Sequence, residues 1–435
     1  MSTDATTTAQ PVPVPVPVLD PAVVADWRAR GGELVELLAT ARAALGPVAG
    51  VPVGDRPTVL ATGPAEVQHV LAHHPDRYVK RSHRARMLIG DGVLAATGEA
   101  WKRQRKLLQG QFTGAGMRRY ERRIAAAARS TATRWTGQAE DGGVLDLGDE
   151  MRRFALDTIW RSLTGHPLNG ATDRELGAVA TVVARMPELP ADAADAREAV
   201  AGELARIDLI ADRAIEAARS GPPGPDGPGL LALLTEDDHG YSDRLIRDEL
   251  VTLLVAGHET TATTLTWLYL LLDRHPGARE AALAAGPAGS PQRREAVLAL
   301  VHETLRLYPS AWLLPRHALE ADVLGGHRIE AGTDVLVSPY LTHRDPVRWP
   351  DPERFDPTRF TVPGRRPAEL GAYLPFGLGA RACLGIQFAL RETVALLELL
   401  LPVWTVRLHN PPLGASYSIT VRPDGPVLAT LSPDV

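Results

Sequence analysis

The sequence predicts a mainly α-helical protein with a minor β part, built as one large domain. Three observations carry this. Apolar residues recur at helical spacing through most of the chain. One helical pattern, from Ser242 to Arg274, runs 33 residues with no breaker except Gly257, about 50 Å at 1.5 Å per residue. Alternating, strand-like runs occur early, around Leu324–Ser338 and near the C-terminus, without internal repeats. Length alone, 435 residues, would suggest two or three domains; the uniform helical style argues for one.

Taken in order, the first 20 residues are polar and then alternate Pro and Val, which excludes helix. They read as an extended or disordered leader, with the folded domain over 21–435. Pro21 to Leu45 reads as one or two helices, Pro57–Thr62 as a strand, and Glu66–His73 as a helix. Tyr78 to Thr97 has no clear period and reads as a long loop. Helices follow over Trp101–Phe112, Tyr120–Trp135, Leu147–Leu163, Thr172–Met186 and Ala194–Arg219, and Pro187 and Pro190 part the last two. Ser220–Gly229 (SGPPGPDGPG) can only be a loop, though its helical flanks argue against a domain linker. The long pattern comes next, with Ser242 as N-cap. Its flanks are apolar nearly all round, so it should cross the core. Strands follow within Leu324–Ser338, then Pro- and Asp-rich coil, a helix to about Leu400, and strand-like runs at Trp404–Leu408 and Ser418–Val421.

Bulk properties exclude several functions. The chain is 45% apolar and 23% charged with net charge −5, which does not suit a nucleic-acid binder. It carries no signal peptide and no membrane-spanning run, so a soluble, cytoplasmic protein is expected. One cysteine excludes an internal disulfide and a multi-cysteine zinc or iron–sulfur site. Three of the 47 basic residues are lysine, a GC-rich, actinobacterial-type bias. Locally, eight Lys or Arg residues stand against Glu121 between Trp101 and Arg123, a charge of +7. That is either a solvated face or a dock for an acidic partner.

Three constellations carry chemistry. The middle of the long helix, Ala256-Gly257-His258-Glu259-Thr260-Thr261, places a carboxylate, a glycine and threonines where a buried helix tolerates them poorly. Gly257 would admit a ligand to the backbone. Thr260 can bond back one turn and loosen the helix. Glu259 and Thr260 suit passing protons inward; a kink with satisfied polar groups is the bland alternative. Glu303 and Arg306, at i and i+3, can pair, and Arg354 could add a second guanidinium. Cys383 lies in a glycine-rich loop at a helix start, where a dipole and free N–H groups favour a thiolate. A hydrolase nucleophile would need a histidine base; thirteen histidines leave that open by counting, but no strand–turn–helix nucleophile signal surrounds Cys383. A sole thiolate donor fits haem iron better than zinc or a cluster.

At this point the residues resemble the cytochrome P-450 family of haem-thiolate monooxygenases. Phe376-x-x-Gly379-x-Arg381-x-Cys383-x-Gly385 is similar to its haem-binding signature, and Ala256-Gly257-x-Glu259-Thr260-Thr261 to its oxygen-activation motif. Glu303-x-x-Arg306 with Pro352-Glu353-Arg354-Phe355 resembles its structural motif pair. Trp101-x-x-x-Arg105 resembles its haem-propionate helix. The resemblance covers residue 50 to the C-terminus, in family order. It implies the triangular, mainly helical single-domain fold with a long central helix over the haem, and haem b as cofactor. Cys383 would ligate the iron. Glu259 and Thr260 would deliver protons to the distal oxygen. Trp101, Arg105, Arg316 and Arg381 would hold the propionates, with Ala256, Phe376 and Gly385 against the haem. Glu303, Arg306 and Arg354 would be structural. The segments 78–97, 186–190 and 411–417 would line the substrate pocket.

The implied activity is insertion of one oxygen atom from O2 into a small hydrophobic substrate, and the GC-rich coding bias adds the expectation of a place in secondary-metabolite biosynthesis. A monomer is expected, with no nucleic acid or membrane partner. Electrons would come from an external ferredoxin or flavodoxin and its NAD(P)H reductase, docking near Lys102, Arg103 and Lys106. Ring coupling, dehydrogenation, isomerisation or nitrene-type transfer on the same haem, a haem carrier without turnover, and a haem-free cysteine hydrolase are the competing readings.

Overall fold

The computed structural model describes residues 13–54, 57–80, 83–190, 192–236, 240–361 and 372–434. Helix accounts for 56% and strand for 12%, so the mainly helical expectation holds. The contacts group the chain into two compact units.

The first unit comprises Met1–Arg81, Leu313–Asp345 and Gly377–Ala382. Its core is a five-stranded mixed sheet in the order Val48–Gly50, Thr58–Ala61, Asp334–Val337, Leu314–Ala318, Tyr78–Val79. Thr58–Ala61 runs parallel to Asp334–Val337 in register. Val14–Pro15 pairs with His327–Ile329. The extended reading of the leader therefore describes a real strand at 14–15, while residues 1–12 lie outside the described residues. Asp322 pins the smaller sheet. Its carboxylate accepts from His69 Nε2 (2.8 Å), Arg77 Nη1 (2.7 Å) and Tyr78 Oη (3.0 Å).

The second unit comprises Ser82–Trp312, Pro346–Phe376 and Cys383–Val435. Its axis is the helix Asp243–Arg274, capped by Ser242 Oγ accepting from the Leu245 N–H. Its flanks are buried, as the all-round apolar pattern requires. The helix Leu147–Thr164 packs along it. Gly257 belongs to this contact: a Cβ there would sit 3.0 Å from Ile159 Cγ1. The glycine lets the Ile159 side chain approach the helix backbone.

Other expectations shift too. The stretch Tyr78–Thr97 is not one loop. Tyr78–Val79 is an edge strand and His83–Ile89 a helix that buries Leu88 and Ile89. A seven-residue helix is too short for its period to register. The C-terminal strands are Trp404–His409 with Leu428–Pro433 and Leu145–Asp146, and Ala415–Tyr417 with Val421–Pro423. Residues 418–420 are the turn between the last pair, not a strand. The C-terminal and N-terminal strands therefore form separate sheets.

The Pro/Gly segment 220–229 is clasped. Buried Arg123 donates to the Asp226 and Pro228 carbonyls (3.2 and 2.7 Å). A Cβ on Gly224 would lie 1.9 Å from the Gly165 carbonyl oxygen, and one on Gly229 2.2 Å from that of Leu163. Gly224 and Gly229 are needed because two backbones touch.

Candidate active site

Cys383 belongs to the second unit, just before the helix Ile386–Leu400. Its N–H donates to the Phe376 carbonyl at 2.8 Å, and Phe376 is half-buried. The cysteine is accessible. Burial pushes the thiol pKa up; the Gly385 N–H and the Arg105 guanidinium pull the other way. Gly379 acts differently from Gly385. It has φ +70°, and a Cβ there would lie 2.2 Å from the Leu71 carbonyl oxygen, so only glycine packs.

The helix that follows the cysteine is tied to the central one. Thr261 Oγ1 donates to Glu392 Oε1 at 2.7 Å. Burial pushes the Glu392 carboxyl up, with the Thr261 hydroxyl as counterweight. On the central helix, Ala256 is exposed and Glu259 and Thr260 half-exposed, between buried flanks. Thr260 Oγ1 donates back to the Ala256 carbonyl (2.9 Å), as its position predicts. The Glu259 carbonyl accepts from Thr263 Oγ1 (2.6 Å), and that of Thr260 from Thr264 Oγ1 (2.9 Å) and Ser310 Oγ (3.0 Å). The Glu259 carboxylate accepts from Thr420 Oγ1 at 3.2 Å.

Trp101 and Arg105 share the inward face of the helix Gly98–Gln109, with Lys102, Arg103 and Lys106 exposed on the other. Arg118, Arg119 and Arg122 add to the exposed charge on the next helix. Lys102 pairs with Glu99 at 2.7 Å and Arg391 with Glu121 at 2.6 Å. Arg123 is buried and Arg105 turned inward, so the basic surface is smaller than the +7 of the sequence.

In the first unit, Arg316 and Arg381 lie together with Lys80. Burial and Arg381 hold Arg316 down to about 10. Burial, Arg316 and Arg381 hold Lys80 down to about 8. Such a cluster fits an anionic group. Sequence reasoning missed Lys80, although it is one of three lysines among 47 basic residues. Thr420 was missed as well, having no local signal. Glu392 had one: a carboxylate four residues after Phe388 and four before Leu396 on a buried stripe.

The structural cluster needs one correction. Arg306 grips Glu303 through Nε and Nη2, both at 2.8 Å, and both side chains are fully buried. Arg306 also donates to the Pro352 and Arg354 carbonyls (2.7 and 3.0 Å). The second guanidinium is that of Arg359, 3.4 Å from Glu303 Oε1. Arg354 is exposed and enters through its backbone, because the turn at 351–354 points its side chain outward.

A single thiol beside an arginine fits haem iron, and a cluster of cations around buried Arg316 fits carboxylates. The family model for Cytochrome P450 matches residues 11–193 and 208–413. Cyclooctatin synthase of Streptomyces melanosporofaciens is 33% identical over 386 residues, covering 82% of each chain. Cyclooctat-9-en-7-ol 5-monooxygenase of the same organism is 31% identical, covering 83% of each. Among solved structures, the cytochrome P450DA heme domain aligns with TM-score 0.84 at 25% identity, covering 97% of this chain and 98% of that one. CYP175A1 from Thermus thermophillus aligns with TM-score 0.75 at 32% identity, covering 96% and 100%. Match and geometry together place the chain in the cytochrome P450 family, as a haem b-dependent monooxygenase.

Proposed function

We propose that this enzyme hydroxylates or epoxidises a small hydrophobic substrate, with electrons from an external ferredoxin or flavodoxin and its NAD(P)H reductase. The observation that carries the reading is the 256–260 stretch, where accessible polar groups interrupt an otherwise buried helix. Bound through Cys383, haem supplies the reductive activation of O2. Thr260 spends its only O–H on the Ala256 carbonyl, which leaves its oxygen lone pairs to accept a hydrogen bond from the relay. Glu259 takes a proton at its carboxylate and passes it toward Thr260. Arg105 offsets the thiolate charge of Cys383. By the family's motifs, Trp101, Arg105, Arg316 and Arg381 serve the propionates, and we add Lys80 to them. Phe376, Gly385 and Ala256 pack against the ring, and Glu303, Arg306 and Arg359 keep the frame. Both units belong to one haem domain in this reading, beginning at Val14–Pro15, and the enzyme works as a monomer.

The relative that acts on cyclooctat-9-en-7-ol supports a compact hydrophobic substrate and a place in secondary metabolism. The test is a titration of the ferric enzyme with cyclooctat-9-en-7-ol and other small hydrophobic natural products. A saturable spectral shift followed by an oxygenated product is expected; a shift with a coupled or dehydrogenated product would overturn the outcome assigned. The exposed face of Lys102, Arg103 and Lys106 is the proposed electron entrance. Reversing two of these charges should slow reduction and flatten its salt dependence. Unchanged reduction would make this a solvated face.

A further inference from the structure

The turn at 418–420 has a role that the relay motif does not itself contain. Its backbone is stapled from several sides. Trp267 Nε1 on the central helix donates to the Val421 carbonyl (3.0 Å), and Trp312 Nε1 to that of Ser418 (2.8 Å). The Val421 N–H donates to the Ser310 carbonyl and the Ser418 N–H to that of Thr420, both at 3.2 Å. Two buried indoles thus fix a turn carrying Thr420, which is 5% exposed. Among the described residues, its hydroxyl is the sole hydrogen-bond donor to the Glu259 carboxylate. Ser310, which accepts from this hairpin through its backbone, caps the Thr260 carbonyl with its hydroxyl. One rigid corner therefore touches both relay residues.

We propose that Thr420 is a positioning residue for proton delivery. It parks Oε1 of Glu259 and leaves Oε2 to take up a proton and release it toward Thr260. At 3.2 Å the bond is longer than the usual span of O–H···O bonds, about 2.5–3.0 Å, so it orients the carboxylate without locking it. The inference rests on the reading of Glu259 and Thr260 as the proton relay, and the variants below separate the two.

Haem-loaded wild type, Thr420→Val, Thr420→Ser and Glu259→Gln are compared with a plant-type ferredoxin and its NADPH reductase, without added substrate. Oxygen reduced by two electrons and two protons leaves as hydrogen peroxide; with four of each it leaves as two waters. The ratio of NADPH oxidised to O2 consumed reads the split. Thr420→Val should raise peroxide relative to water about two- to tenfold, the span of one lost hydrogen bond, and Thr420→Ser should restore it. Thr420→Val should also shift the infrared C–O stretch of the ferrous–CO adduct, which a change of stability alone would not move. A lowered melting temperature with unchanged ratio and stretch would overturn the proposal. If Glu259→Gln changes the ratio and Thr420→Val does not, the positioning role fails while the relay stands. If neither changes it, the relay reading fails as well.

Discussion

Glu303 and Glu259 are carboxylates on two helices of the same unit, held in opposite ways. Glu303 is fully buried and meets the Arg306 fork, the Asp356 N–H (2.9 Å) and the Arg359 guanidinium. Glu259 is half-exposed and, among the described residues, its carboxylate accepts from a single hydroxyl. A buried charge is tolerable when its lone pairs are filled and a cation is fixed beside it. A charge that must move a proton cannot be so enclosed. The difference separates frame from working part.

Cys383→Ser should have the largest effect, complete loss of the red-shifted ferrous–CO Soret band of thiolate ligation while the frame around Glu303 stays folded. A retained band in that variant would remove the cysteine from the site. Glu303→Ala leaves Arg306 buried without its partner and should cost about 3–5 kcal/mol in urea unfolding. A smaller loss would mean that the cluster is not the frame.

Glu249 sharpens the comparison as a buried carboxyl without a guanidinium. It accepts from the Val93 N–H at 3.0 Å, and its other oxygen has no hydrogen-bond partner among the described residues. Burial pushes its pKa from 4.5 up to about 7. The native state then holds a proton that the unfolded chain has lost between these values. Its contribution is full below pH 4.5 and fades as pH rises through about 7. Glu249→Gln should flatten that slope, worth about 3 kcal/mol at most, in melts followed across pH. Next in size, Arg359→Ala should cost about 1–2 kcal/mol and Arg354→Ala less than about 0.5 kcal/mol; the reverse order would restore the pairing first read from sequence. Thr260→Ala should alter stability by no more than about 1 kcal/mol, while raising peroxide at the expense of product. Unchanged coupling there would make Glu259 an ordinary surface acid.

Much of this was legible before the structure. The long helix, its Ser242 cap, the Thr260 back-bond and the Glu303–Arg306 pair follow from period and spacing, which are local. What escaped depends on contacts far apart in sequence. Arg359 replaces Arg354 because the 351–354 turn decides which arginine faces inward. Gly257 answers to Ile159, and Gly379 to Leu71. Thr420 meets Glu259 only because two tryptophans fix a turn.

The segment at 220–229 has a practical consequence. Ten residues of Gly and Pro with one Ser and one Asp look like the natural place to cut the chain, open it or splice in a tag. Arg123 and the touching glycines make it one of the least forgiving. A protease should pass it over in the folded enzyme, and a fused reporter there would have to displace the 163–165 backbone before it could be carried.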